Sequence, residues 1–387
     1  MKNQLLLLSS LLLSILLLAP TLSLDAHAES GVTDTEITLG ISNAQSGPAG
    51  AIGTGVSAGI NVYFDKINAA GGVKGHTLKV IQTDDMYEPA QAIANTQKLL
   101  DDDKVFALIG YVGTPTAKAV TPNISREKAP FIAPFTGAGF LRSPVLPTVF
   151  NLRSSYNDEM EAIVKQLVDA KGLKNIALFK QNDSYGQAGE SGLSEALGKR
   201  DLSISSVGSY ERNTIDVADA LAALKDAKPD AVIMVGAYKA CAEFLKEAKA
   251  AGFSPIFVNI SFVGTAALAK EAGEAGEGSF VSQVMPNPFT SDLEIVKQFQ
   301  EDMTKAGKAD MIDYTSLEGY VQAAMFTMAL GNIEGDVTRG KIVEALDKLD
   351  IDLGGLKLKF TPEDHQALDQ VYLTKIVGGK PETVEGF

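Results

Sequence analysis

The chain has 387 residues, a formal net charge of −14 and a sequence isoelectric point near 4.8. That balance argues against nucleic acid or an anionic membrane surface as partner. The length exceeds what one core usually serves, so two domains of roughly 150 residues or more are expected.

Lys2, the apolar run from Leu5 to Leu18 and the small-x-small triplet Ala26-His27-Ala28 read as a secretory signal peptide, residues 1–28, cleaved near Ala28. The apolar run is shorter than the ~20 residues a membrane-spanning helix needs, and no later run approaches that length. A soluble periplasmic chain starting near Glu29 is therefore expected. Cys241 is the only cysteine, so no internal disulfide can form in an oxidising compartment, and its helical context suits a small buried hydrophobe. After cleavage only His76 and His365 remain, without cysteine partners or HExxH spacing, which argues against a metal site; no cofactor is expected.

From residue 36 on, strand-like apolar runs alternate with amphipathic helical ones. EITLGIS (Glu36–Ser42) leads to a helix in which Ile60, Tyr63, Phe64 and Ile67 share one face before Gly71 and Gly72 stop it. HTLKVIQTDD, VFALIG, FIAPF and TVFNLRS continue the strands to Ser154. The alternation then restarts with NIALFKQ, DLSISSVGSY, DAVIMVG, IFVNIS and SFVSQV as strands. VMPNPFT, with two prolines, reads as a linker to long helices over 292–306 and 314–331 and a third near 338–349. Repeated strand-helix units predict an α/β fold of two similar lobes with parallel-rich sheets.

The stretch VFALIG-YVGTP-TAKAV organises the first half. A buried strand runs into Thr114-Pro115, where the Thr hydroxyl can cap a helix and Pro suits its first position. Unpaired amides at a helix start, at the carboxyl end of a strand, suit an anion, so a small carboxylate is expected at Gly113 and Thr114. Tyr185 and Tyr238 each follow a strand of the second half, where a tyrosine can stack and hydrogen-bond.

Two glycine patterns point elsewhere. Gly53 and Gly55 follow a strand, but Gly59 falls one residue late for GxGxxG, and no GKS or GKT exists for a phosphate loop. Gly55-Val56-Ser57-Ala58-Gly59 matches GxSxG, but the elbow of a serine hydrolase needs a strand running directly into the serine, and Ser57 falls inside a helix. A serine hydrolase is thus the alternative from another class.

SGPAGAIGTGVSAG, INAAGGVKG, DDMYEP, LIGYVGTPT, PFIAPFTGA, the DSYG element and DAVIMVGAY before FLKEAKAAG together resemble the ABC-transporter periplasmic solute-binding proteins of the branched-chain amino-acid (Leu/Ile/Val) receptor family. The resemblance covers essentially the whole mature chain. It implies a type I periplasmic binding protein: two Rossmann-like lobes joined by a three-segment hinge, one built from 29–153 and 286–361, the other from 154–285 and 362–387. It also implies a non-enzymatic, monomeric receptor that closes on an amino acid, carboxylate or amide and delivers it to an ABC permease. A sensory receptor for a membrane kinase or chemoreceptor is the runner-up. The resemblance places ligand contacts at Val112, Gly113, Thr114, Phe135, Thr136, Gly137, Tyr185, Tyr238 and Ser261. Ser261 stands where amino-acid receptors place a glutamate against the ammonium, Ile52 holds a tyrosine position, and Tyr87 and Gly113 take the places of a disulfide that some members carry. Either Glu88, Asp183 or Glu318 replaces the missing acid, or the ligand lacks an ammonium. Arg142 and Arg153 are candidate cationic contacts.

Overall fold

The computed structural model describes residues 29–387; the expected signal peptide lies outside them. The first half opens with β1 (Glu36–Asn43), α1 (Gly50–Ala69), β2 (Thr77–Asp84), α2 (Pro89–Gln97), β3 (Ala107–Ile109), α3 (Thr114–Glu127), β4 (Phe131–Ile132) and β5 (Val149–Phe150). These strands form a five-stranded sheet ordered β2-β1-β3-β4-β5, parallel throughout.

The pattern repeats through α4 (Tyr156–Val164), β6 (Ile176–Gln181), α5 (Ser184–Gly198), β7 (Val207–Tyr210), α6 (Ala218–Ala227), β8 (Ala231–Val235), α7 (Tyr238–Ala250), β9 (Ile256–Asn259), α8 (Thr265–Ala272) and β10 (Phe280–Gln283). The parallel order is again second-first-third-fourth-fifth, β7-β6-β8-β9-β10. All five residues of β8 are buried and apolar, as helices on both faces of a parallel sheet require.

The chain then returns to the first half. α9 (Glu294–Lys305), α10 (Tyr314–Gly331) and α11 (Arg339–Asp347) follow, and α10 lies along α1. α10 is buried on nearly every face, with Phe326 between Phe64 and Phe106. The hairpin β11 (Asp350–Leu353) and β12 (Leu356–Lys359) precedes a last hairpin, β13 (Tyr372–Val377) and β14 (Lys380–Val384). That last pair extends the second sheet in antiparallel fashion from β10. The four closing strands and α8 are elements that the strand-helix reading of the sequence did not anticipate.

The chain thus crosses between halves three times, after β5, after β10 and after β12. Asn151 and Gln366 pair as a parallel bridge between the first and third crossings. His365 lies between them, stacked on Phe150 with centroids 4.2 Å apart, its Nε2 2.9 Å from Asp347 Oδ1 and its Nδ1 2.9 Å from the Val149 carbonyl.

Candidate functional site

Each parallel sheet reverses its strand order once, between β1 and β3 in the first and between β6 and β8 in the second. Ligands of open α/β sheets bind outside the carboxyl ends of the strands at such switch points. Here the two switch points face each other. Strand ends at Asn43, Gly110 to Thr114, Gln181 to Tyr185 and Gly236 to Tyr238 border one junction.

On the first half, Val112 and Phe135 pair as an isolated bridge beyond β3 and β4, which brings Gly113 beside Thr136. Gly113, not Thr114, is the N-cap of α3, with φ 106°. This corrects the sequence reading: Thr114 is the first helical residue, and its hydroxyl shares a 2.6 Å hydrogen bond with Thr136 Oγ1 instead of capping the helix. A Cβ on Gly113 would fall 2.2 Å from the Tyr87 ring. The Tyr87 ring thus lies directly over Gly113.

On the second half, Ser155 and Asp158 form a reciprocal capping box at the start of α4. That cap fixes Tyr156 and Glu159 in the first turn, both buried. Tyr156 points to Thr136, 3.4 Å from its hydroxyl, and its backbone amide donates to the Gly137 carbonyl at 2.8 Å. Asp183 caps α5 by accepting from the Tyr185 amide at 2.8 Å, which sets Tyr185 beside Tyr156 and Phe262, ring centroids 5.5 and 4.6 Å away. Phe262 also meets Tyr87 and Phe135, at 6.0 and 5.8 Å.

Thr114, Phe135, Thr136 and Tyr185 thus meet in one buried cluster with Tyr87, Tyr156 and Phe262. The Tyr185 hydroxyl is buried without a hydrogen-bond partner. Burial, with Tyr156 adding to it, holds that phenol well above its ordinary pKa, so it remains a neutral donor.

Arg153 sits on the first crossing and is almost wholly buried. Its Nε and Nη2 donate to Glu318 Oε1 and Oε2 at 2.9 and 2.7 Å, its Nη1 donates to Ser261 Oγ at 3.1 Å, and its guanidinium lies 3.9 Å from the Phe135 centroid. Burial alone would lower this guanidinium, but Glu318 outweighs it and the net direction is upward. Ser261 in turn donates to Glu159 through its amide at 2.8 Å and its hydroxyl at 2.9 Å, and Ser282 Oγ donates to the same carboxylate. Burial raises Glu159, against the pull of Arg153.

The remaining candidates lie outside this cluster. Tyr238, first in α7, reaches the backbone amide of Ala51 at the start of α1. Ile52 packs towards Gly264, where a Cβ would lie 3.2 Å away. Ile52 and Gly264 border a cleft of about 230 Å³ that includes Thr54, Ala267 and Asp313. A larger groove of about 430 Å³, along Phe253, Phe257 and Phe280, shares no residue with the junction. Glu88 accepts from Arg212 and Asn213 of the other half at 2.8 and 2.7 Å. Arg142 is held by the Ala138 and Arg153 carbonyls and by Gln366, and burial, then Arg153, push it down to about 10.

Tyr156, Glu159, Gln181 and Phe262 are the junction residues that the sequence reading missed. The Ser155-x-x-Asp158 spacing before an apolar helix is a signal that would have placed the first two. Phe262 and Gln181 carry none.

Ser57, the serine of the GxSxG pattern, is buried within α1 and accepts hydrogen bonds from Asn43 and Gln45 side chains at 3.1 Å each. No group of three His, Cys, Asp or Glu among the described residues is placed to hold a metal, and no described helix is long and apolar enough to cross a membrane. Cys241 is buried in α7, and burial pushes its thiol up.

The sequence profile described as periplasmic binding protein matches residues 36–380. Among curated proteins, Leu/Ile/Val-binding protein homolog 7 of Brucella abortus (strain 2308) is 24% identical over 346 residues, covering 85% of each chain. The Leu/Ile/Val-binding protein of Escherichia coli (strain K12) is 24% identical over 248 residues, 64% of this chain and 67% of that one. Among solved structures, a possible leucine/isoleucine/valine-binding protein from Rhodopirellula baltica SH 1 superposes with a TM-score of 0.87 at 36% identity, over 91% of this chain and 96% of that chain.

Proposed function

The chain belongs to the periplasmic binding protein family, of the branched-chain amino-acid ABC transporter type, and from that premise we propose that it is a non-enzymatic receptor for a small organic carboxylate. It is exported by its N-terminal signal peptide, works as a monomer, and hands its ligand to an ABC permease. Residues 29–153 with 286–361 form one lobe, and 154–285 with 362–387 the other. The carboxylate lies against the amides at the start of α3 and the hydroxyls of Thr114, Thr136 and Tyr185, with Phe135 and Phe262 as walls.

The observation that carries this reading is the Tyr185 hydroxyl, buried between the halves with its donor unused. A buried hydroxyl without a partner costs ~1–3 kcal/mol. The Tyr185 ring stands beside Tyr156, whose hydroxyl lies 3.4 Å from that of Thr136, the partner of Thr114; Thr114 opens α3, and its backbone amide can find no acceptor within its own helix. An anion supplies an acceptor for both. Either half alone would leave a bound ligand open to water on one side, so binding favours the closed arrangement and the permease reads it.

A thermal-shift screen of carboxylates, amides and amino acids tests the proposal, since a ligand at 100 times its dissociation constant stabilises by ~2.7 kcal/mol. With a hit in hand, Thr114→Ala combined with Tyr185→Ala is expected to abolish detectable binding while the far-ultraviolet spectrum stays unchanged. Unaltered affinity in that variant overturns the assignment.

A further inference from the structure

We propose that the ligand carries a carboxylate but no ammonium: a deaminated aliphatic or aromatic acid. The inference rests on the receptor reading and narrows it, and it follows from where Glu318, Glu159, Asp183, Asp85 and Glu88 spend their lone pairs.

An ammonium taken out of water needs an oxygen anion or several acceptors to replace its hydration. Glu318 gives both oxygens to the Arg153 guanidinium in a two-pronged pair. Glu159 takes three donors, the Ser261 amide and hydroxyl and the Ser282 hydroxyl. It stands behind Ser261, so an ammonium would have to displace that residue to reach it. Asp183 uses one oxygen on the Tyr185 amide and the other on Gln181 and Arg212. Asp85 accepts from Ser42 at 3.0 Å and from the Tyr87 amide at 2.9 Å. Glu88 is turned to Arg212 and Asn213.

Each of these five carboxylates is thus already engaged by protein donors; Asp313, whose Oδ1 has no partner, lies instead in the cleft beside Ile52 and Gly264, which includes neither Thr114 nor Tyr185. The buried cluster around Tyr185 is of the opposite kind. Tyr185 and the amides of α3 offer donors, while Phe135 and Phe262 offer carbon. Donors with apolar walls match a carboxylate on a hydrocarbon body. An α-ammonium on the same body would meet ring carbon and neutral hydroxyls, with none of these five carboxylates free to pair with it.

The test compares acids that differ only in that group. Isothermal titration of the purified protein is run with 4-methylpentanoate against leucine, and with 3-phenylpropanoate against phenylalanine. In each pair the acid without nitrogen is expected to bind at least about tenfold more tightly. Equal or tighter binding of either amino acid overturns the inference and leaves the receptor reading standing. If none of the four binds, the class named here is wrong even where the broader screen finds a ligand. If the screen also finds none, the receptor reading fails with it.

Discussion

Tyr185 carries the most information of any single side chain. Its hydroxyl has lost water and gained nothing, so the unliganded closed state bears a cost that the ligand removes. Tyr185→Phe separates the two effects. Without ligand the variant is expected to be more stable than the parent by ~1 kcal/mol, because no orphaned donor remains. With ligand its affinity is expected to fall on the order of tenfold, through the lost hydrogen bond. Thermal unfolding with and without a bound carboxylate measures both, and equal loss in the two conditions would reduce Tyr185 to a packing residue. At this scale the sequence exposes residues whose role is set locally. Thr114 and Tyr185 follow strand ends and open helices, and both patterns lie within a few residues. The partnership of Ser261 with Glu159 spans 102 positions and that of Arg153 with Glu318 spans 165; nothing local encodes either.

Among the elements, the contact of α1 with α10 shows what the GxSxG pattern is for. A Cβ on Gly59 would lie 1.9 Å from the Ser316 carbonyl oxygen, and one on Gly319 would lie 2.1 Å from that of Val56. The glycines let two helix backbones touch, and Ser57 between them is spent on Asn43 and Gln45. Gly59→Ala and Gly319→Ala are each expected to destabilise by about 1–3 kcal/mol, more if the helices cannot separate. A lower denaturation midpoint with an unchanged slope would record it; an unchanged midpoint would mean that the helices part freely. The alternation of strand and helix was legible because each period spans a single element. The closing hairpins were not, since β13 finds its place only against β10, some ninety residues earlier, and its own sequence says nothing about that neighbour.

Across the whole molecule, the halves are also held together by groups outside the buried cluster around Tyr185. Glu88 of the first half meets Arg212 and Asn213 of the second, and Asn213 also donates to the Met86 carbonyl at 3.1 Å. Glu88 is partly exposed, with 43% of its side chain open to water, so the pair stabilises the closed form only modestly. Pairs of that exposure contribute about 0.2–1 kcal/mol and weaken with salt. Because the contact exists only when the halves meet, its loss acts on opening. Glu88→Gln is therefore expected to speed ligand release about two- to fivefold while leaving the association rate unchanged. The parent protein's release rate is expected to rise with ionic strength and that of the variant to rise less. Stopped-flow release at low and high salt distinguishes the cases, because a Glu88 that touched the ligand would alter the preference among acids, whereas a latch alters every ligand by the same factor.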